Sequence, residues 1–122
     1  EWRRGSRAFW KSSVISSSKV DGTNVYNPAG EKLGSIESLM IDKISGQVRY
    51  AIMEFGGFLG MGTDRYPLPW TTLKYDVTRQ GYVVSLDKEQ LRQGPKYASD
   101  TVPEYTEDYG RRVYDYYGVP WI

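Results

Sequence analysis

Between residues 20 and 86 the apolar positions repeat with a period near two, the signature of strands that turn one face inward. The clearest stretch is "QVRYAIMEF". It sets Val48, Tyr50 and Ile52 against Gln47, Arg49 and Ala51, then slips at Met53, Glu54 and Phe55. "LGSIESLMID" places Leu33, Ile36, Leu39 and Ile41 among polar residues, and "TNVYN", "RYPLPW", "TTLKYD" and "YVVSL" are shorter runs of the same kind. Turn chemistry separates them: "NPAGEK" from Asn27, Ser45-Gly46, and "VTRQG". Pro67 and Pro69 confine their run to a sheet edge or strand end, since proline donates no ladder hydrogen bond. Six short strands at this spacing predict a small antiparallel barrel or sandwich. Ile41, Ile52, Leu68 and Trp70 are its expected core residues.

The period changes at Asp87. "DKEQLRQ" reads as a short helix capped by Asp87 and stopped by Gly94-Pro95. "TVPEYTEDYGRRVYDYYG" reads as a second helix, with Thr101 and Glu104 at capping-box spacing and Gly118 as the terminating glycine. Tyr105, Tyr109, Val113, Tyr116 and Tyr117 fall on one stripe. Gly110 weakens this helix by about 1 kcal/mol relative to alanine, so docking must hold it. At the other end, residues 1–18 read as a flexible arm, basic at first and then serine-rich, with Trp2, Phe9 and Trp10 as its odd aromatics.

Composition narrows the chemistry. The chain of 122 residues fits one domain with one modest core. It contains no cysteine and no histidine, which excludes disulfides, thiolate nucleophiles, Cys/His zinc sites and a histidine base. Net charge is +1, so no overall excess points to nucleic acid. The ends differ in sign. Arg3, Arg4, Arg7 and Lys11 face only Glu1, whereas Asp100, Glu104, Glu107, Asp108 and Asp115 face Arg111 and Arg112. No run approaches the ~20 apolar residues of a membrane span. The expected location is cytoplasmic or membrane-peripheral, and a start at Glu1 leaves room for a missing upstream segment.

The glycine-rich run "FGGFLGMG" invites a phosphate-loop reading. A phosphate loop joins a strand to a helix and uses the helix N-terminus, whereas this run joins two strands and is followed by no Lys-Ser/Thr pair. Its glycines are better suited to a sharp bend of the wall. Phe58, Leu59 and Met61 between them would cap the barrel end or form a contact patch.

Taken together, "VYNPAGEKLG" (Val25–Gly34), "IDKISGQVRYAI" (Ile41–Ile52), "FGGFLGMG" (Phe55–Gly62) and "YPLPWTTLKYD" (Tyr66–Asp76) resemble the PRC-barrel family. That family is named for the cytoplasmic part of the photosynthetic reaction-centre H subunit and includes the C-terminal domain of a bacterial ribosomal RNA maturation factor. "DKEQLRQGP" looks like its helical tail. The resemblance spans roughly residues 19–96, with residues 97–122 resembling the extension of stand-alone bacterial members. It implies a compact six-stranded antiparallel barrel used for interaction and assembly, with no catalytic residue set.

The expected organisation is therefore an arm (1–18), a PRC-type barrel (19–96) and a tyrosine-rich helical extension (97–122). Glu37, Asp42 and Glu54 could form an acid pair if they converged, but strand alternation makes them a solvated face. Asp21, Asp64 and Asp76 fit turns better than a hard-cation site. Six of the eleven tyrosines lie from Tyr97 onward in an acidic segment, which suits a protein interface better than nucleobases. That segment would pack either on its own barrel or on a second copy. The expected function is a non-catalytic interaction module without cofactor or metal, self-associating as a homodimer and binding an unidentified protein. Its expected contacts are Gly57, Phe58, Leu59, Gly60 and Met61 in the loop and Tyr105, Tyr109, Tyr116 and Tyr117 in the tail. Alternatives are an RNA- or ribosome-associated module using the basic arm, a reaction-centre-like component supporting electron transfer, and, less favoured, a carboxylate-based hydrolase.

Overall fold

The computed structural model describes residues 14–55 and 64–121. The strands are β1 (Asn24–Tyr26), β2 (Lys32–Ile41), β3 (Val48–Phe55), β4 (Asp64–Pro69), β5 (Leu73–Asp76), β6 (Gly81–Val84) and β7 (Tyr97–Ala98). The helices are α1 (Ser17–Val20), α2 (Lys88–Arg92) and α3 (Glu107–Tyr116), with a 3₁₀ turn at Trp70–Thr72.

The seven strands form one sheet in the order β5-β6-β1-β2-β3-β4-β7. The expected fold was a six-stranded antiparallel barrel; the described residues instead form an open, mixed sheet. Two features account for the difference. β1 pairs β2 in antiparallel fashion but β6 in parallel, with Val25 opposite Tyr82 and Tyr26 opposite Val83. That pair joins segments far apart in the chain, so no local pattern announces it. β7 has only two residues, set against Asp64 and Arg65, too few to show a period.

Local chemistry explains the connections. In the β1–β2 turn the Asn27 side-chain oxygen accepts the Glu31 N–H at 2.9 Å. In the β2–β3 turn Asp42 Oδ1 accepts the N–H groups of Ile44 and Ser45, each at 2.9 Å, and Gly46 supplies the left-handed residue at φ +79°. The Ser16 hydroxyl caps α1, so part of the serine run is helical rather than an extended arm, and Val20 of that helix is buried. Pro67 and Pro69 pair with Ile52 and Tyr50 on one side only, because β7 covers β4 no further than Arg65. Both prolines thus lie where β4 is a sheet edge.

Val25, Ile36, Ile52, Met53, Leu68, Val84 and Leu91 make the core. Ile52 and Leu68 occupy the core as expected, and Trp70 is half-buried against Tyr82, ring centres 5.5 Å apart. Ile41 does not. It is the last residue of β2, beside a register shift in which β3 carries one residue more, and it is 52% exposed. β3 buries four residues in succession, Tyr50 to Met53. A strand buried that way has both faces covered, and the second cover is the tail. Among the described residues no helix is long and apolar enough to cross a membrane.

Candidate functional site

Helix α3 starts later than expected. Thr106, not Thr101, is its N-cap, and the Thr106 hydroxyl accepts the Tyr109 N–H at 3.1 Å. Glu107 and Asp108 sit in the first turn, where the helix dipole favours acids. The helix ends in a Schellman motif: Gly118 at φ +69°, its N–H bonded to the Asp115 carbonyl, and the Val119 N–H to the Tyr114 carbonyl.

The buried stripe is Gly110, Val113, Tyr114 and Tyr117. Of the expected stripe, Val113 and Tyr117 are buried, Tyr105 and Tyr109 are half-buried, and Tyr116 is on the surface. Tyr116 is 39% exposed, and its hydroxyl donates to the Gln90 carbonyl at 2.5 Å, tying α3 to α2. Tyr114, absent from the expected stripe, is buried, and its hydroxyl donates to the Arg49 carbonyl at 2.7 Å. Gly110 makes this closeness possible. A Cβ there would lie 2.5 Å from the Trp121 ring and from the Tyr50 hydroxyl. The signal was present in the sequence, because 110, 113, 114 and 117 have helical spacing once glycine counts as a contact residue.

The tail therefore docks on its own sheet. Tyr105 meets Tyr50 edge-on at 5.2 Å and Tyr109 at 5.1 Å, and the Tyr97 and Tyr105 hydroxyls share a hydrogen bond of 2.7 Å. Tyr114 packs edge-on against both Tyr50 and Trp121. The Arg49 guanidinium stands over the Trp121 ring at 4.4 Å. Burial pushes the Tyr50 and Tyr109 phenols up to about 12 and raises Tyr105 and Tyr117 as well. The Tyr109 and Tyr117 hydroxyls are buried with no hydrogen-bond partner among the described residues.

Between the β2–β3 turn and the start of α3 runs a groove of about 670 Å³. Tyr50, Tyr105 and Trp121 supply aromatic lining, Ile41 and Ile44 line the hairpin side, and Glu107 lines the helix side. Ile44 is 95% exposed, although the Asp42 turn holds its backbone in place. Neither Ile44 nor Trp121 was singled out by sequence; an isoleucine at the apex of an Asx turn was the available clue.

The remaining expected positions are dispersed. Gly57, Phe58, Leu59, Gly60 and Met61 lie outside the described residues. Glu37 and Glu54 do converge, but on Arg65, at 3.6 and 3.9 Å. Asp42 is held below the usual carboxylate range by the Ser45 and Ile44 N–H groups, and Asp76 caps its own turn through Thr78 and Arg79. Among the described residues no group of three or more acids could hold a metal ion.

No curated protein matches the sequence. The family model for the PRC-barrel domain matches residues 13–91, from before α1 into α2. It spans β1 to β6 and stops short of β7 and α3, so the tyrosine-rich tail is an addition to the part that matches. On that match, over more than half its length, the chain belongs to the PRC-barrel family.

Proposed function

We propose that this protein is a non-catalytic interaction and assembly module that self-associates and binds a second protein. Family membership supports the general role. The observation that carries the reading is how the acids are spent. Glu37 and Glu54 neutralise Arg65, while Asp42 and Asp76 hold turns. None is aimed into the groove as an uncommitted acid beside an uncommitted base, the arrangement that hydrolysis would need. The docked tail leaves Tyr116 as the most exposed of the four tail tyrosines proposed as contacts. Phe58, Leu59 and Met61 are the proposed contacts in the glycine-rich run.

The test is the solution mass of the full chain by light scattering over a concentration series. A mass that rises to twice that of the 14.0 kDa chain is the expected result. A constant single-chain mass would remove self-association from the reading. Binding of the second protein would then be sought with the monomer as bait.

A further inference from the structure

The hairpin tip and the groove beside it form a knob and a slot on one face. Ile44 projects from a turn that leaves little freedom: Asp42 Oδ1 fixes the Ile44 and Ser45 N–H groups, and the Gly46 N–H bonds the Asp42 carbonyl at 2.8 Å. Ordering such a side chain at an interface costs little, since its backbone is already fixed. The slot has aromatic lining from Tyr50, Tyr105 and Trp121, the residue types favoured at interface centres. Its two sides carry opposite charges. The hairpin side presents Asp42, Lys43 and Arg49, of which Lys43 forms no ion pair among the described residues, and the helix side presents Glu107, whose Oε2 accepts from Arg111 and whose Oε1 makes no hydrogen bond among the described residues. A patch with a knob and a cation on one side, and a slot and an anion on the other, complements itself under a two-fold rotation.

We propose that this face is the contact between two copies of the chain. Each copy seats Ile44 in the other's groove, and each Lys43 meets the other's Glu107. The inference rests on the self-association reading and names its surface. A different protein in the groove, or a pairing through another face, would produce other results in the same experiment.

That experiment is the dimer dissociation constant by sedimentation or light scattering for three full-length variants. Ile44→Asp places a charge on a side chain already in water, so melting should be unchanged while the dimer weakens at least about tenfold, as for a central interface anchor. Lys43→Glu sets acid against acid at both ends of the contact, and Glu107→Lys sets base against base. Each of these alone should weaken the dimer, and an equimolar mixture of the two should restore it, because the mixed pair regains both attractive contacts. The mixture decides the matter even if Ile44→Asp misfolds. A native dimer that is unmoved by these changes would overturn this surface and leave self-association standing. A chain that is monomeric throughout would overturn both and leave the groove to another protein.

Discussion

The two halves of the buried structure are built from different side chains. The core of β1 to β6 is largely aliphatic: Val25, Ile36, Ile52, Leu68 and Val84. Beneath the tail the contacts are phenolic, made by Tyr50, Tyr97, Tyr105, Tyr109, Tyr114 and Tyr117. An aliphatic core needs only shape, and every methyl buried counts. A phenol brings more area but also a hydroxyl that must find a partner. Here the outcomes diverge. Tyr114 finds a carbonyl, Tyr97 and Tyr105 find each other, and Tyr109 and Tyr117 find none among the described residues. The aliphatic half is chiefly sensitive to volume, although burial raises its Tyr66 and Tyr82 phenols too. The phenolic half responds to volume and to pH.

The largest expected effect tests the aliphatic half. Leu68→Ala should cost about 2–5 kcal/mol through lost transfer energy and a cavity, read as an equal loss in urea unfolding by circular dichroism and by tryptophan fluorescence. A loss confined to one probe would mean that the two halves unfold separately. Next comes the closest approach in the phenolic half. Gly110→Ala should cost about 1–3 kcal/mol from overpacking, because its Cβ would press on Trp121 and the Tyr50 hydroxyl. This is the opposite of the usual helical benefit of alanine, so a gain in stability would show that α3 does not sit this close to the sheet.

Alkali should separate the halves more gently. Tyr50 and Tyr109 are pushed up to about 12 by burial, whereas an unfolded tyrosine titrates near 10. Between those values the folded chain holds protons that the unfolded chain has lost. Stability is therefore full below about 10 and falls as pH rises toward 12. Melting temperature across that window, with tyrosinate absorbance followed in parallel, checks the sign. A melting temperature that stays flat to 12 would mean that these phenols are not buried.

The same contrast governs what could be read from sequence. Strand alternation, the Ser45-Gly46 turn, the Asp87 cap and the Gly118 terminator were all legible, since each depends on neighbours within a few residues, whereas the part Asp42 plays in that turn was not read. Ile41 was misplaced because it ends its strand beside an irregularity in β3, and where pairing stops depends on the opposing strand. The parallel β1–β6 pair was invisible for the same reason. In the tail, Thr101 offered capping-box spacing but Thr106 took the cap, with Val102 and Pro103 extending the chain between them. Gly110 looked like a helix weakness. Its use as a point of close approach required knowing what lay opposite.

The smallest effect discriminates most finely, because its sign differs between two tyrosines in one helix. Tyr114→Phe removes a hydroxyl that satisfies the Arg49 carbonyl, and should cost about 1 kcal/mol. Tyr117→Phe removes a hydroxyl buried with no partner among the described residues and leaves the ring in place, so desolvating it is no longer required. That variant should be neutral or more stable, with a melting temperature at or above the parent. It should also remove one of the raised phenols from the alkaline titration. If Tyr117→Phe instead loses as much as Tyr114→Phe, an ordered water must satisfy the Tyr117 hydroxyl. The phenolic half would then be as fully bonded as the aliphatic half is fully packed, and its stronger response to alkali would be the property that still sets it apart.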